Sequence, residues 1–129
     1  MSGVGDDTDP GPELRAALER ARFGADGLLP AVIQERSTRE VLMLGYMDRE
    51  ALRRTLTEGR VTFWSRSRRE YWRKGDTSGH AQHVRAAAFD CDADALLVTV
   101  DQVGAACHTG AHACFDVDPL PAATAARGA

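Results

Sequence analysis

All three cysteines and all four histidines of the chain fall between residues 80 and 114, as His80, His83, Cys91, Cys107, His108, His112 and Cys114. Thiolates and imidazoles crowded in this way are the ligands of a transition metal. An odd number of Cys, in a chain read as lacking an export signal, argues against a disulfide framework and for thiols kept reduced. The spacing, C-x15-C-x6-C, is not the paired CxxC knuckle of structural zinc modules. Zn2+ on three thiolates keeps one tetrahedral position for water and lowers that water's pKa to about 7, as in a catalytic site. The competing reading is three small buried side chains, because free Cys is often simply core.

Asp90, Asp92 and Asp94 alternate around Cys91 in D-C-D-A-D. In an extended segment they would project from one side within ~13 Å, with Cys91 on the other. Like charges so close repel unless a cation bridges them, and hard oxygen donors in this number suit Mg2+. A solvated acidic hairpin turn is the alternative. An EF-hand is excluded, because its sixth loop position would be Ala95 where the sharp turn requires Gly.

A third constellation runs Phe63-Trp64-Ser65-Arg66-Ser67-Arg68-Arg69 and then Tyr71-Trp72-Arg73-Lys74-Gly75-Asp76-Thr77-Ser78-Gly79. Arg forks and the lone Lys bind phosphates, Ser, Thr and turn amides complete such a cradle, and flat aromatics stack on a base. Taken alone, the segment equally suits a basic strand with its aromatics in the core, or a single-stranded RNA surface.

These groups need a scaffold, and 129 residues, 43% hydrophobic and 27% charged, suit one compact domain. The basic residues are Arg but for Lys74, and Ala is abundant, so the Arg content reads as nucleotide-composition bias. Its placement says more: residues 60–74 are basic, whereas 90–118 carry six Asp and neither Arg nor Lys. A formal net charge of -3 excludes a general nucleic-acid coat and leaves a local cradle for a phosphorylated small molecule. No apolar run approaches the roughly 18 residues that span a bilayer, and the acidic start has no hydrophobic signal region, so a cytoplasmic protein without membrane partners is expected.

Residues 1–12 and 119–129 read as flexible tails around a single domain at 13–118. Leu14, Ala17, Leu18 and Ala21 follow Pro12 at helical spacing. Leu28–Gln34 and Val41–Tyr46 read as two strands joined by a polar turn. Asp48 reads as the N-cap of a helix that Gly59 stops. Strand character follows at 60–66, from His80 to Phe89 and from Ala95 to Gln102, with GDTSG at 75–79 as turn chemistry. The expected class is α+β, a mainly antiparallel sheet with short flanking helices.

The segments W72-R73-K74-G75-D76-T77-S78-G79-H80, D90-C91-D92-A93-D94-A95-L96-L97 and A106-C107-H108-T109-G110 with C114-F115, in this order, resemble the phosphoribosyl-AMP cyclohydrolase family. The resemblance covers roughly residues 22–118. It implies an enzyme of histidine biosynthesis, at its third step, that hydrolyses the N1–C6 bond of phosphoribosyl-AMP and opens the adenine ring. It implies one zinc per subunit on Cys91, Cys107 and Cys114, and one magnesium per subunit on Asp90, Asp92 and Asp94. It further implies an intertwined homodimer in which Cys91 meets Cys107 and Cys114 of the partner chain. Asp76, Asp48 and Ala105 depart from the residues commoner in the family, and none is a proposed ligand. The family also occurs fused to a phosphoribosyl-ATP pyrophosphohydrolase domain, which 129 residues cannot include.

Within that resemblance His108, beside Cys107, is the expected proton shuttle and His80 the second candidate, imidazole being the side chain that exchanges protons near neutral pH. His83 and His112 are expected in structural or surface roles. Trp64, Arg66, Arg68, Arg73, Lys74, Thr77 and Ser78 are the candidate substrate contacts. A zinc-dependent nucleoside or nucleotide deaminase should show H-x-E with P-C-x-x-C, and neither occurs. A zinc-stabilised nucleic-acid-binding module should bring a fourth ligand and excess positive charge, which are also missing.

Overall fold

The computed structural model describes residues 11–122, so most of both expected tails lies outside the described residues. Helix α1, Pro12–Arg20, starts on proline, which loses no helical hydrogen bond at that position. Its one buried side chain is Leu18. Strands β1 (Leu29–Glu35) and β2 (Val41–Met47) form the expected antiparallel hairpin, with Leu29 opposite Met47 and Ile33 opposite Met43. Along β1, Leu29, Ala31 and Ile33 are fully buried while their neighbours are only partly so, the period of two that marks a sheet packed on one face.

Helix α2 (Arg49–Glu58) follows directly. The Asp48 carboxylate accepts the Ala51 N–H at 2.8 Å, and Gly59 closes the helix at φ 75°, where a Cβ is disfavoured. Ala51, Leu52 and Thr55 face the core. Thr55 Oγ1 donates to Thr62 O at 3.2 Å and accepts from Thr62 N at 3.0 Å, fastening α2 to β3, Thr62–Ser65. Tyr71 donates its hydroxyl to the second Asp48 oxygen at 2.8 Å, and burial with this bond pushes the phenol up to about 12.

Strand β3 pairs antiparallel with β4, Glu70–Arg73, setting Phe63 against Trp72 and Trp64 against Tyr71. The sequence reading missed β4: its four residues mix charge with half-exposed aromatics and show no apolar alternation. Phe63 is 1% exposed, a burial worth about 1.5–3 kcal/mol. Its ring lies so close to β2 that a Cβ on Gly45 would sit 2.4 Å from it, which explains a glycine inside that strand.

Strand β5 (Gln82–Phe89) pairs antiparallel with β6 (Leu96–Gln102), which in turn runs parallel to β1, so the main sheet has the order β2-β1-β6-β5. The class is α+β with mostly antiparallel pairing, as expected, and the parallel β1–β6 contact is the exception.

The D-C-D-A-D segment corrects one expectation. It is a turn between β5 and β6, with Ala93 at φ 61°, and not extended backbone. The Asp90 carboxylate accepts the Asp94 and Ala95 N–H groups at 3.0 and 3.1 Å, an Asx-type closure. The three carboxylates therefore converge, each offering an oxygen within 4.8 Å of the others. Beyond β6 the chain is irregular, doubling back where Ala106 N donates to His112 O and Cys107 N to Ala111 O, then making a 3-10 turn at Cys114–Asp116. Among the described residues no helix is long and apolar enough to cross a membrane.

Candidate active site

A cleft of about 270 Å3 opens where β4, the Lys74–Gly79 turn and the Ala105–Gly110 loop meet. Lys74, Thr77, Ser78, His80, Cys107 and His108 all line it, so six sequence-predicted residues from two segments share one cavity. The turn is held from behind. Lys74 N donates to Val61 O at 2.9 Å, and Asp76 accepts from Arg73 Nε at 2.8 Å and Arg60 Nη2 at 3.2 Å. Gly75, at φ 94°, lets the turn pass Ala81, whose Cα would be 2.4 Å from an added Cβ.

His80 is fixed on two sides. Its N–H donates to Ser78 Oγ at 3.1 Å, and its ring packs on Gly104, where a Cβ would lie 2.5 Å from Cδ2. Gly104, which sets the place of the His80 ring, is a position that sequence reasoning missed, because its only signal is a neighbour distant in the chain.

Cys107 lines the cleft, and Cys114 lies close enough to it that each thiol shifts the other's pKa. Thr109 donates its hydroxyl to Cys107 Sγ at 3.1 Å, and this bond first, with the Thr109 amide, holds the Cys107 thiol below its usual pKa. Burial, then the bond to Cys107, pushes the Cys114 thiol up. Lys74, only 6% exposed, faces both sulfurs; burial pulls its ammonium down and the two cysteines oppose that. Two adjacent sulfurs, one with its thiolate favoured, form a donor set that fits a borderline-soft dication such as zinc.

Cys91 is exposed on the β5–β6 turn and lines a different groove, with Arg20, Arg22, Asp90 and Asp92. Within one chain the three cysteines thus do not form a single ligand group among the described residues. Around Cys91, Asp94 is held above the usual carboxylate range by its hydrogen bonds with Asp92 and Asp90. Desolvation would raise Asp90, but hydrogen bonds from Asp94 and the Ala95 and Asp94 amides outweigh it and bring Asp90 below that range. Three carboxylates with oxygens within 4.8 Å of one another fit a hard cation such as Mg2+.

Trp64 and Arg66 lie in a second groove, of about 610 Å3, with Gly45, Ser65, Ser67 and Trp72. The Arg66 guanidinium stacks on Tyr46 at 4.2 Å. The structure does not bring Arg68 or Arg73 into either groove. Arg68 pairs with Glu70 at 3.8 Å at the outer end of the β3–β4 hairpin, and Arg73 is engaged by Asp76 and Glu58 on the opposite side of β4. His83 is exposed on β5, opposite Asp101. His112 Nε2 lies 2.9 Å from Glu35 and 3.6 Å from Glu40, tying the cysteine-bearing loop to the β1–β2 hairpin.

Comparison with known proteins agrees with the three motifs. The family profile described as phosphoribosyl-AMP cyclohydrolase matches residues 43–116. A phosphoribosyl-AMP cyclohydrolase of Clavibacter michiganensis subsp. michiganensis is 72% identical over 120 residues, covering 93% of this chain and 91% of that protein. One from Leifsonia xyli subsp. xyli is 69% identical over 107 residues, covering 83% and 86%. One from Streptomyces griseus subsp. griseus is 64% identical over 115 residues, covering 88% and 92%.

Proposed function

Because the chain belongs to the phosphoribosyl-AMP cyclohydrolase family, we propose that it opens the adenine ring of 1-(5-phosphoribosyl)-AMP at the N1–C6 bond, the third step of histidine biosynthesis. The observation that carries this reading is the single cleft that gathers Lys74, Thr77, Ser78, His80, Cys107 and His108. We assign the activity to one domain at 13–118, in a cytoplasmic setting.

Cys107 and Cys114 hold one side of a zinc site, and the partner subunit's Cys91 completes it in an intertwined homodimer. The exposure of Cys91 and its separation from the other two sulfurs within one chain support that division. When bound, zinc supplies a Lewis acid that lowers the pKa of water to about 7 and so makes a nucleophile available at C6 near neutral pH. His108, beside Cys107 in the cleft, carries the proton to N1 as that nitrogen departs, and His80 stands ready as the second donor. The water oxygen becomes the carboxamide oxygen, the N1–C6 bond breaks, and N1 keeps its ribosyl group, so no ammonia is released. Asp90, Asp92 and Asp94 would hold magnesium, which when bound would supply a positive charge to help orient the substrate. Lys74, Thr77 and Ser78 contact one phosphate, while Trp64 and Arg66 serve the second groove.

Turnover in 18O-labelled water tests the assignment. The ring-opened product carries one label in its carboxamide and no ammonia appears; ammonia release with an intact ring would instead mark a deaminase.

A further inference from the structure

Trp72 stands between the two grooves and lines both. Trp72 is 44% exposed, one of the large apolar residues open to solvent among the described residues. The ring is nevertheless held: Phe63 packs against it with centroids 5.5 Å apart, tilted 41°, and the Lys74 ammonium lies 5.4 Å from its centroid. A rigid indole with an open face is a stacking platform for a base.

The grooves on either side have matching chemistry. The smaller offers Lys74 with the hydroxyls of Thr77 and Ser78, and the larger offers Arg66 with those of Ser65 and Ser67. One cation with two hydroxyls is a phosphate-recognising set. Neither Lys74 nor Arg66 has a carboxylate partner among the described residues; each rests on an aromatic ring instead. Arg66 so placed remains available to an anion, and Lys74, 6% exposed and facing Cys107 and Cys114, lines the wall of the smaller groove. Together the grooves fall within the roughly 300–1,000 Å3 that small-molecule sites occupy.

The proposed substrate carries ribose 5-phosphates on N1 and N9, at opposite ends of one purine. We propose that Trp72 is the platform on which that purine rests and that the two phosphates part across it, one into each groove. This inference rests on the proposed activity, and it makes Trp72 a substrate-binding residue that the sequence reading passed over in favour of Trp64. It also accounts for the absence of Arg68 and Arg73 from both grooves, since Arg66 and Lys74 already supply one cation per phosphate.

The test combines steady-state kinetics on phosphoribosyl-AMP with calorimetric titration of AMP, which carries a single phosphate. Trp72→Ala raises KM about tenfold or more, the scale of a lost base–aromatic stack, with a smaller change in kcat, and Trp72→Phe recovers most of the loss. Arg66→Met and Lys74→Met both raise KM for phosphoribosyl-AMP, but only one of them weakens AMP; Thr77→Val replaces Lys74→Met if the latter fails to fold. An unchanged KM in Trp72→Ala overturns the proposal, as does conversion of that variant to a monomer where the parent is a dimer, which would make the indole a subunit contact. Equal weakening of AMP by both groove variants overturns the partition. Failure of the unaltered protein to turn over phosphoribosyl-AMP refutes the activity instead, and AMP affinity in Trp72→Ala still decides the platform.

Discussion

One methyl group at Gly104 separates a structural from a functional role for His80. Gly104 has φ 68°, a conformation that costs a residue with a Cβ about 1–2 kcal/mol. The added Cβ would also lie 2.5 Å from His80 Cδ2 and 2.9 Å from Nε2. If the ring holds its place, overpacking adds about 1–3 kcal/mol. If the half-exposed ring swings away, that cost disappears and His80 leaves its position in the cleft. Gly27→Ala is the matched control, with φ 79° and nothing within 4 Å of the new Cβ, so it carries the backbone strain alone. Urea unfolding should place Gly27→Ala about 1–2 kcal/mol below the parent and Gly104→Ala between that level and about 5 kcal/mol below. If the ring swings away, kcat/KM for Gly104→Ala falls tenfold or more; if it holds its place, the cost appears in stability and activity is kept, and Gly27→Ala keeps the parent value in both cases. Parental kcat/KM in Gly104→Ala at the stability of Gly27→Ala would show that His80 moved without consequence, and would refute its place in the reaction.

Other outcomes follow from the same geometry. Thr55→Val keeps the shape but strands the buried Thr62 N–H and removes the donor to its carbonyl, so urea unfolding should show a loss of about 2–4 kcal/mol, and Thr55→Ser a smaller one. Glu50 is lowered from 4.5 to about 2, first by its hydrogen bond to Arg53 and then by Arg54 against the opposing effect of burial. A depressed carboxylate stabilises fully above its unfolded pKa, so this contribution is present above about pH 4.5 and fades as the pH falls toward 2. Thermal melts of Glu50→Gln should therefore converge with those of the parent across that window, and less visibly at high salt because the pair is partly exposed. Mixing Cys91→Ser with Cys107→Ser subunits should restore about a quarter of the parental activity, because random pairing makes half the dimers mixed and each has one intact shared site. No recovery on mixing would place all three cysteines in one chain's site.

The elements most legible in the sequence are those whose signal is local. The alternation of β1, the Asp48 cap and the Gly59 stop each depend on near neighbours, and they appear where expected. Strand β4 was not legible, because Glu-Tyr-Trp-Arg carries no apolar period and forms only by pairing with β3. The parallel β1–β6 contact joins segments over sixty residues apart, which no local pattern encodes. The acidic motif was recognised for its chemistry but misjudged in shape, since the Asp90 side chain closes a turn instead of extending the strand. At the site, Cys107, His108 and Lys74 announce themselves by residue type. Thr109, Gly104 and the dividing position of Trp72 do not, because their significance lies in what the fold sets against them. Arg68 and Arg73 have the right chemistry for phosphate, but Arg68 sits in the β3–β4 turn beside Glu70 and Arg73 is engaged by Asp76 and Glu58.

The most direct measurement follows phosphoribosyl-AMP by ultraviolet absorbance as the ring-opened imidazole carboxamide forms, with and without a zinc chelator. The account predicts turnover that the chelator abolishes and added Zn2+ restores in the folded dimer. A folded, zinc-replete dimer that forms no ring-opened product would contradict it.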